Sequence, residues 1–155
     1  MDAKNRICGA CTACCKTHEV VEINKPAGVW CAHCEIGKGC RIYNERPQTC
    51  KSFRCLWLRG IGKGKDRPDR SKVVWGSGST LVGKNIFVFS AIELRAGAVK
   101  NNFAQEVTEQ ILQQGQLVLH KLVSGERILY IPPNIHVSSD VLAFFEEENI
   151  GVQRK

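Results

Sequence analysis

The last hundred residues of this 155-residue chain contain no cysteine, although the chain has nine. A long apolar run is also missing: the longest, Ile86 to Ile92, is broken by Ser90 and is far too short to cross a bilayer, so no membrane partner is expected. The stretch from Met1 to Cys8 has no apolar segment of the kind a secretory signal needs, and the chain is expected to be cytoplasmic. Aromatic residues are scarce at 7%, charged residues come to 24% and mean hydropathy is −0.18, which excludes a disordered tail, a coiled coil and a collagen-like repeat. The sequence has no internal repeat and no low-complexity tract. What remains is a chain that should fold, as one compact domain or two small ones.

All nine cysteines lie within the first 55 residues. Charge divides the chain in the same place. Residues 1–72 hold fifteen Lys and Arg against seven Asp and Glu, whereas residues 73–155 hold seven against eight. The expected organisation is a cysteine-rich metal-binding region over residues 1–70 and an α+β region over residues 71–155. The join, Gly60 to Arg70, is rich in glycine and charge and reads as an exposed linker or loop.

The second region carries ordinary signals of secondary structure. Val73-Val74-Trp75 and Ile86-Phe87-Val88-Phe89 are β-branched and aromatic runs separated by the turn-rich Gly76 to Thr80, and predict two strands. Asn102 can cap a helix with apolar residues at Phe103, Val107 and Ile111 and a stop at Gly115. Leu117–Val123 and Arg127–Ile131 flank Ser124-Gly125-Glu126 as a hairpin, ended by Pro132-Pro133. Ser138 or Ser139 then caps a last helix through Val141, Leu142 and Phe145, stopped by Gly151. The fold class is therefore α+β: a loop-rich, metal-stabilised N-terminal cysteine cluster packed on a small β-β-α-β-β-α unit.

The first region has too few aliphatic residues, too irregularly spaced, for a core of its own, and a reducing cytosol disfavours disulfides. A metal can hold such a unit, because its binding free energy becomes folding free energy. The opening cluster is Cys8-Gly9-Ala10-Cys11-Thr12-Ala13-Cys14-Cys15, in which two intervening residues let two sulfurs turn toward one ion. Adjacent side chains point apart, so Cys14 and Cys15 are expected to serve different metal positions, or one of them is spare. Cys31, Cys34, Cys40, Cys50 and Cys55 follow, the first two again two residues apart. All nine, Cys8, Cys11, Cys14, Cys15, Cys31, Cys34, Cys40, Cys50 and Cys55, are candidate metal ligands.

The C-x2-C-x2-C-C opening, followed by Cys40-Arg41-Ile42-Tyr43, Arg46-Pro47, Cys50, Phe53 and Cys55, resembles the YkgJ-type cysteine cluster family of zinc- or iron-chelating proteins. The resemblance covers about residues 8–58. It implies metal chelation and no established reaction, with Cys8, Cys11, Cys14, Cys15, Cys31, Cys40, Cys50 and Cys55 as the family's cysteines; Cys34 stands apart from that pattern.

Counting thiols leaves two cofactors open. Two four-thiolate zinc sites use all but one cysteine, and a three-zinc cluster with bridging thiolates uses every one. A [4Fe–4S] cluster could take Cys8, Cys11 and Cys14 plus one distant cysteine, leaving the rest unexplained. Zinc, as two or three ions, is the preferred reading because it explains more thiols. Arg41, Arg46, Lys51 and Arg54, interleaved with the cysteines, can donate hydrogen bonds to metal-bound sulfur.

Other readings are weaker. Gly78 to Asn85 approaches the phosphate-binding loop pattern but ends in Asn where a hydroxyl is required, and no helix pattern follows. His18 and His33 are expected to face solvent or stand behind the ligands, and His120 and His136 to be structural. No catalytic signature is present, and Glu19, Glu22 and Glu35 are the only acids near the thiols in sequence. Trp30, Tyr43, Phe53 and Trp57 are expected to pack over the metal site. A base-stacking platform made of the same rings, on a basic region, is the nucleic-acid alternative. Metal ions are the expected partners, and no protein partner is specified.

Overall fold

The computed structural model describes residues 5–78 and 86–155. The near-match to a phosphate loop therefore lies, beyond Gly78, outside the described residues. The protein is α+β.

Residues 5–72 are built from short pieces: α1 (Ala13–Thr17), β1 (Cys34–Glu35), β2 (Gly39–Cys40), α2 (Gln48–Ser52) and α3 (Pro68–Ser71). None is long enough to be stable alone. The rest contains β3 (Val73–Ser77), β4 (Phe89–Glu93), α4 (Asn102–Gln113), β5 (Val118–Lys121), β6 (Arg127–Ile131), α5 (Ser139–Glu147) and β7 (Ile150–Arg154).

Strands β3 to β7 form one sheet in chain order. β3–β4 and β5–β6 pair antiparallel, while β4–β5 and β6–β7 pair parallel, each parallel pair being joined through a helix. Side chains alternate between the faces of a strand, so neighbouring core residues report opposite sides. Val118 packs with Val73, Trp75, Ala91 and the α4 residues Ala104, Val107 and Ile111, whereas Leu119 packs with Leu129, Ile131 and Phe145 of α5. The two helices thus cover opposite faces. Val74 lies on the Leu119 face by register, through Ile92 and Ser90, and there it meets Ala13, Cys55 and Trp57. That contact seats the cysteine region on the sheet.

Several sequence expectations are corrected. The helix cap is Asn101, not Asn102: its side-chain oxygen accepts the Ala104 N–H at 2.7 Å, and its amide donates to the Ser71 carbonyl at 3.0 Å. Gly115, with φ +74, closes the same helix as expected, the Gly115 and Gln116 N–H groups returning to Leu112 and Ile111. The second strand begins at Phe89, three residues later than its most β-prone stretch, because pairing with β3 places Ala91 in the core and lets the buried Glu93 accept the N–H groups of Val99 and Val123. Gly76 and Ser77 belong to β3 and not to a turn. The last helix stops at Glu147, with Asn149 rather than Gly151 in the left-handed conformation (φ +54), and Gly151 sits inside the unforeseen strand β7. Ser138 occupies the cap position of α5 but makes no side-chain capping bond.

Gly60 to Arg70 is not a free linker. Trp57 Nε1 donates to the Lys63 carbonyl at 2.8 Å, Arg6 donates to the Ile61 and Gly62 carbonyls, and Asp66 and Pro68 are buried. Gly62 (φ +76) lies so close to the Phe103 ring that a Cβ would stand 2.6 Å from it. Asn101→Ala should destabilise the protein by about 1–2 kcal/mol, since it removes both the cap and the tie to Ser71; an unchanged urea midpoint would contradict this role.

Candidate metal centre

Both C-x2-C segments are turns. The Cys11 N–H bonds the Cys8 carbonyl at 2.9 Å and the Cys34 N–H bonds the Cys31 carbonyl at 3.0 Å. Gly9 supplies a left-handed residue (φ +52) inside the first turn. α1 carries Cys14 and Cys15, and the Cys31 N–H bonds the Cys15 carbonyl at 3.0 Å, tying the two segments together. Cys34 stands opposite Cys40 in the β1–β2 hairpin. α2 carries Cys50; its first turn is held by the Glu22 carboxylate, which accepts from the Thr49 N–H and hydroxyl at 2.9 Å and 2.8 Å. Cys55 is buried beside Val74 at the sheet.

These elements surround one cavity of about 540 Å3, lined by Cys8, Cys11, Cys14, Cys15, Cys31, Cys40, Cys50 and Cys55. Cys34 is not part of that wall, but its thiol interacts with Cys15 and the Thr12 side chain. Among the described residues no three Cys, His, Asp or Glu side chains already stand at ion-holding geometry. The donor set is chemically suited to a soft or borderline ion, with many thiols and few carboxylates.

The electrostatics fall into two neighbourhoods. Cys15 interacts with Cys14 and Cys34, and Cys50 with Cys15, Cys31 and Cys40. Cys8 has Cys55 as its leading thiol neighbour and then Cys15, which links the two neighbourhoods, with Arg46 and Arg54 nearby, and Cys11 faces the Arg67–Asp69 pair. Burial pushes the Cys11 and Cys34 thiols up to about 11. The hydrogen bond with Cys14, followed by burial, raises Cys15 strongly. Burial also raises Cys8, Cys50 and Cys55, with Arg46 and Arg54 pulling Cys8 back. Positive charge at the wall is what favours the thiolate that a metal needs.

Of the basic residues picked out in sequence, Arg46, Lys51 and Arg54 line the cavity and Arg41 does not. The residue that sequence reasoning missed is Lys25. It is buried at 6% exposure, lines the cavity, and its ammonium donates to the carbonyls of Lys16, at 3.0 Å, and His18. Its charge interacts with Cys31, Cys15, Cys14 and Cys50. Nothing in Asn24-Lys25-Pro26 announces this; the burial is produced by folding.

His18 and His33 both line the cavity. His18 packs at a tilt against Phe53, ring centroids 4.0 Å apart, its Nδ1 lies 2.8 Å from the Thr17 hydroxyl, and burial with Lys121 and Lys25 holds it down at about 4. His18 and Phe53 also border a second cavity of about 390 Å3 over Gly76, Ser90 and Leu119 of the sheet. His120 is structural as expected, but His136 is exposed. The aromatic cover is partial. Phe53 and Tyr43 reach the cavity, Tyr43 being 52% exposed with the Arg46 guanidinium 3.9 Å over its ring. Trp57 is buried away from the cavity beneath Arg6, and Trp30 carries Lys16 at 5.9 Å.

The class defined by fold and site is an α+β protein with a thiol-walled cavity seated on one sheet face. No family model, curated protein or solved structure matches the chain. Among the described residues no helix is long and apolar enough to cross a membrane.

Proposed function

We propose that this chain is a metal-binding protein holding two or three zinc ions through its clustered thiolates, with a role in metal storage, delivery or structure in the reducing cytoplasm. The observation that carries the reading is the gathering of eight thiols, from four separate segments, around one cavity. Lys25, Arg46 and Arg54 support it by placing positive charge where thiolates form. The resemblance of residues 8–58 to zinc- or iron-chelating cysteine clusters points the same way.

A [4Fe–4S] cluster is the second reading, favoured by one electrostatic interaction. A cluster on Cys8, Cys11 and Cys14 requires a distant fourth thiol, and Cys55 is the leading thiol neighbour of Cys8.

Metal content by mass spectrometry, with an absorption spectrum on protein purified without oxygen, separates the two. The zinc reading expects two or three zinc per chain in a colourless sample. Iron with acid-labile sulfide and a broad band near roughly 400 nm replaces it with the second reading. A metal-free, fully folded sample that takes up neither metal overturns both.

A further inference from the structure

We propose that Lys25 is the resident countercation of the thiol cavity, fixing the net charge of the metal–thiolate assembly and thereby its affinity. The inference rests on the zinc-binding reading and deepens it.

A lysine this well buried is rare unless an anion pairs with it, because removing an ammonium from water costs several kcal/mol. Among the described residues no carboxylate forms an ion pair with Lys25. Its ammonium touches two backbone carbonyls, and carbonyl dipoles satisfy its hydrogen atoms without cancelling its charge. The anionic groups that can do so are the thiolates of Cys14, Cys15, Cys31 and Cys50, which line the same cavity and interact with its charge.

The backbone holds the residue in that place. The Val20 N–H bonds the Lys25 carbonyl at 2.8 Å and the Lys25 N–H bonds the Val20 carbonyl at 3.0 Å. A short 3-10 turn, Val21–Ile23, and the left-handed Asn24 (φ +50) close this loop and aim the side chain inward, under the C-terminal end of α1. The carbonyls it binds belong to the turn that carries Cys14 and Cys15, so one side chain fixes both the position and the charge of that pair.

The chemistry follows from counting charge. A zinc ion with four thiolates has a formal charge of −2, and shared thiolates concentrate it further. A fixed cation inside the wall offsets that excess where solvent ions cannot reach, and screening by salt is weak there. Arg46 and Arg54 serve the Cys8 side of the cavity from partly exposed or exposed positions; Lys25 serves the other side from within.

The test compares Lys25→Gln with Lys25→Arg, using zinc competed against a chromogenic chelator. Glutamine keeps hydrogen-bond donors for the two carbonyls and loses the charge; arginine keeps both. The charge role predicts that Lys25→Gln binds zinc roughly ten- to a hundredfold more weakly, the range for groups that support ligands, while Lys25→Arg stays near the parent protein. Equal affinity of Lys25→Gln and the parent overturns the proposal, as does a loss that Lys25→Arg shares with Lys25→Gln. The parent is titrated first. A parent that binds no zinc overturns the zinc reading itself, and a zinc-binding parent with an unaltered Lys25→Gln variant overturns only the role of Lys25.

Discussion

Cys11→Ser is expected to lose at least one metal ion per chain and to unfold the cysteine region, while Cys34→Ser keeps nearly the full complement. Both residues sit in equivalent-looking C-x2-C turns, but Cys11 lines the cavity and Cys34 does not. The cysteine region has little else to hold it. Its buried apolar contacts with the sheet are few: Leu56 in the cluster of Val73 and Trp75, and Ala13, Cys55 and Trp57 against Val74. Metal binding in small thiolate units contributes roughly 10–16 kcal/mol, far more than such a patch supplies. Hydrogen exchange with metal analysis reads both effects: amides of residues 8–55 should lose protection in Cys11→Ser while β3 to β7 keep theirs. Equal metal content in both variants and the parent would overturn the ligand assignment.

Acid should weaken the sheet half through a single buried imidazole. His120 is 1% exposed, packed between α4 and the sheet, with its Nε2 at 3.0 Å from the Thr108 hydroxyl. That hydroxyl donates to the Ala104 carbonyl, so the imidazole donates to it from Nε2. The rings of Trp75 and Tyr130 flank it at 6.2 Å and 4.8 Å. Burial, helped by Lys155 and opposed by Glu93, holds it down at about 4, against 6.5 for a free histidine. In the unfolded chain the same group takes up its proton as pH falls through 6.5, so the unfolded state binds more protons between these two values. The stability is fully present above pH 6.5, falls on the way to pH 4, and the loss levels off below that. The total comes to roughly 3 kcal/mol. His120→Gln should remove that share of the pH dependence, whatever else titrates. Urea unfolding of parent and variant at neutral pH and near pH 4 measures it; identical slopes against pH would exclude the imidazole as the source.

Much of the sheet half was legible because its signals are local. The Gly115 stop, the hairpin at Ser124-Gly125-Glu126 and the apolar face of α4 each depend on residues within a few positions of one another. Strand β7 was not legible. Ile150-Gly151-Val152-Gln153-Arg154 buries only its first residue, and it is extended because β6 offers it a parallel partner. Asn101 outcompeted Asn102 because it alone also reaches Ser71, a contact thirty positions away. In the cysteine region the thiols were legible as types and spacings, but not Lys25, since a lysine in a polar loop carries no local sign that the fold will bury it. The division between Arg46 and Arg54, on the Cys8 side, and Lys25, on the other, likewise exists only in three dimensions.

Each strand of the large sheet pairs with its neighbour in the chain, and this sets the order in which the protein can be made. Contacts of low sequence separation form quickly, so β4 to β7 with their helices can assemble as they emerge from the ribosome. The thiol-bearing segment emerges earlier, but the surface it docks on, around Val74 and Leu94, is complete only once β3 has been joined by β4. The part synthesised first is therefore finished last, and its thiols spend that interval uncovered, open to whatever metal or oxidant the compartment offers.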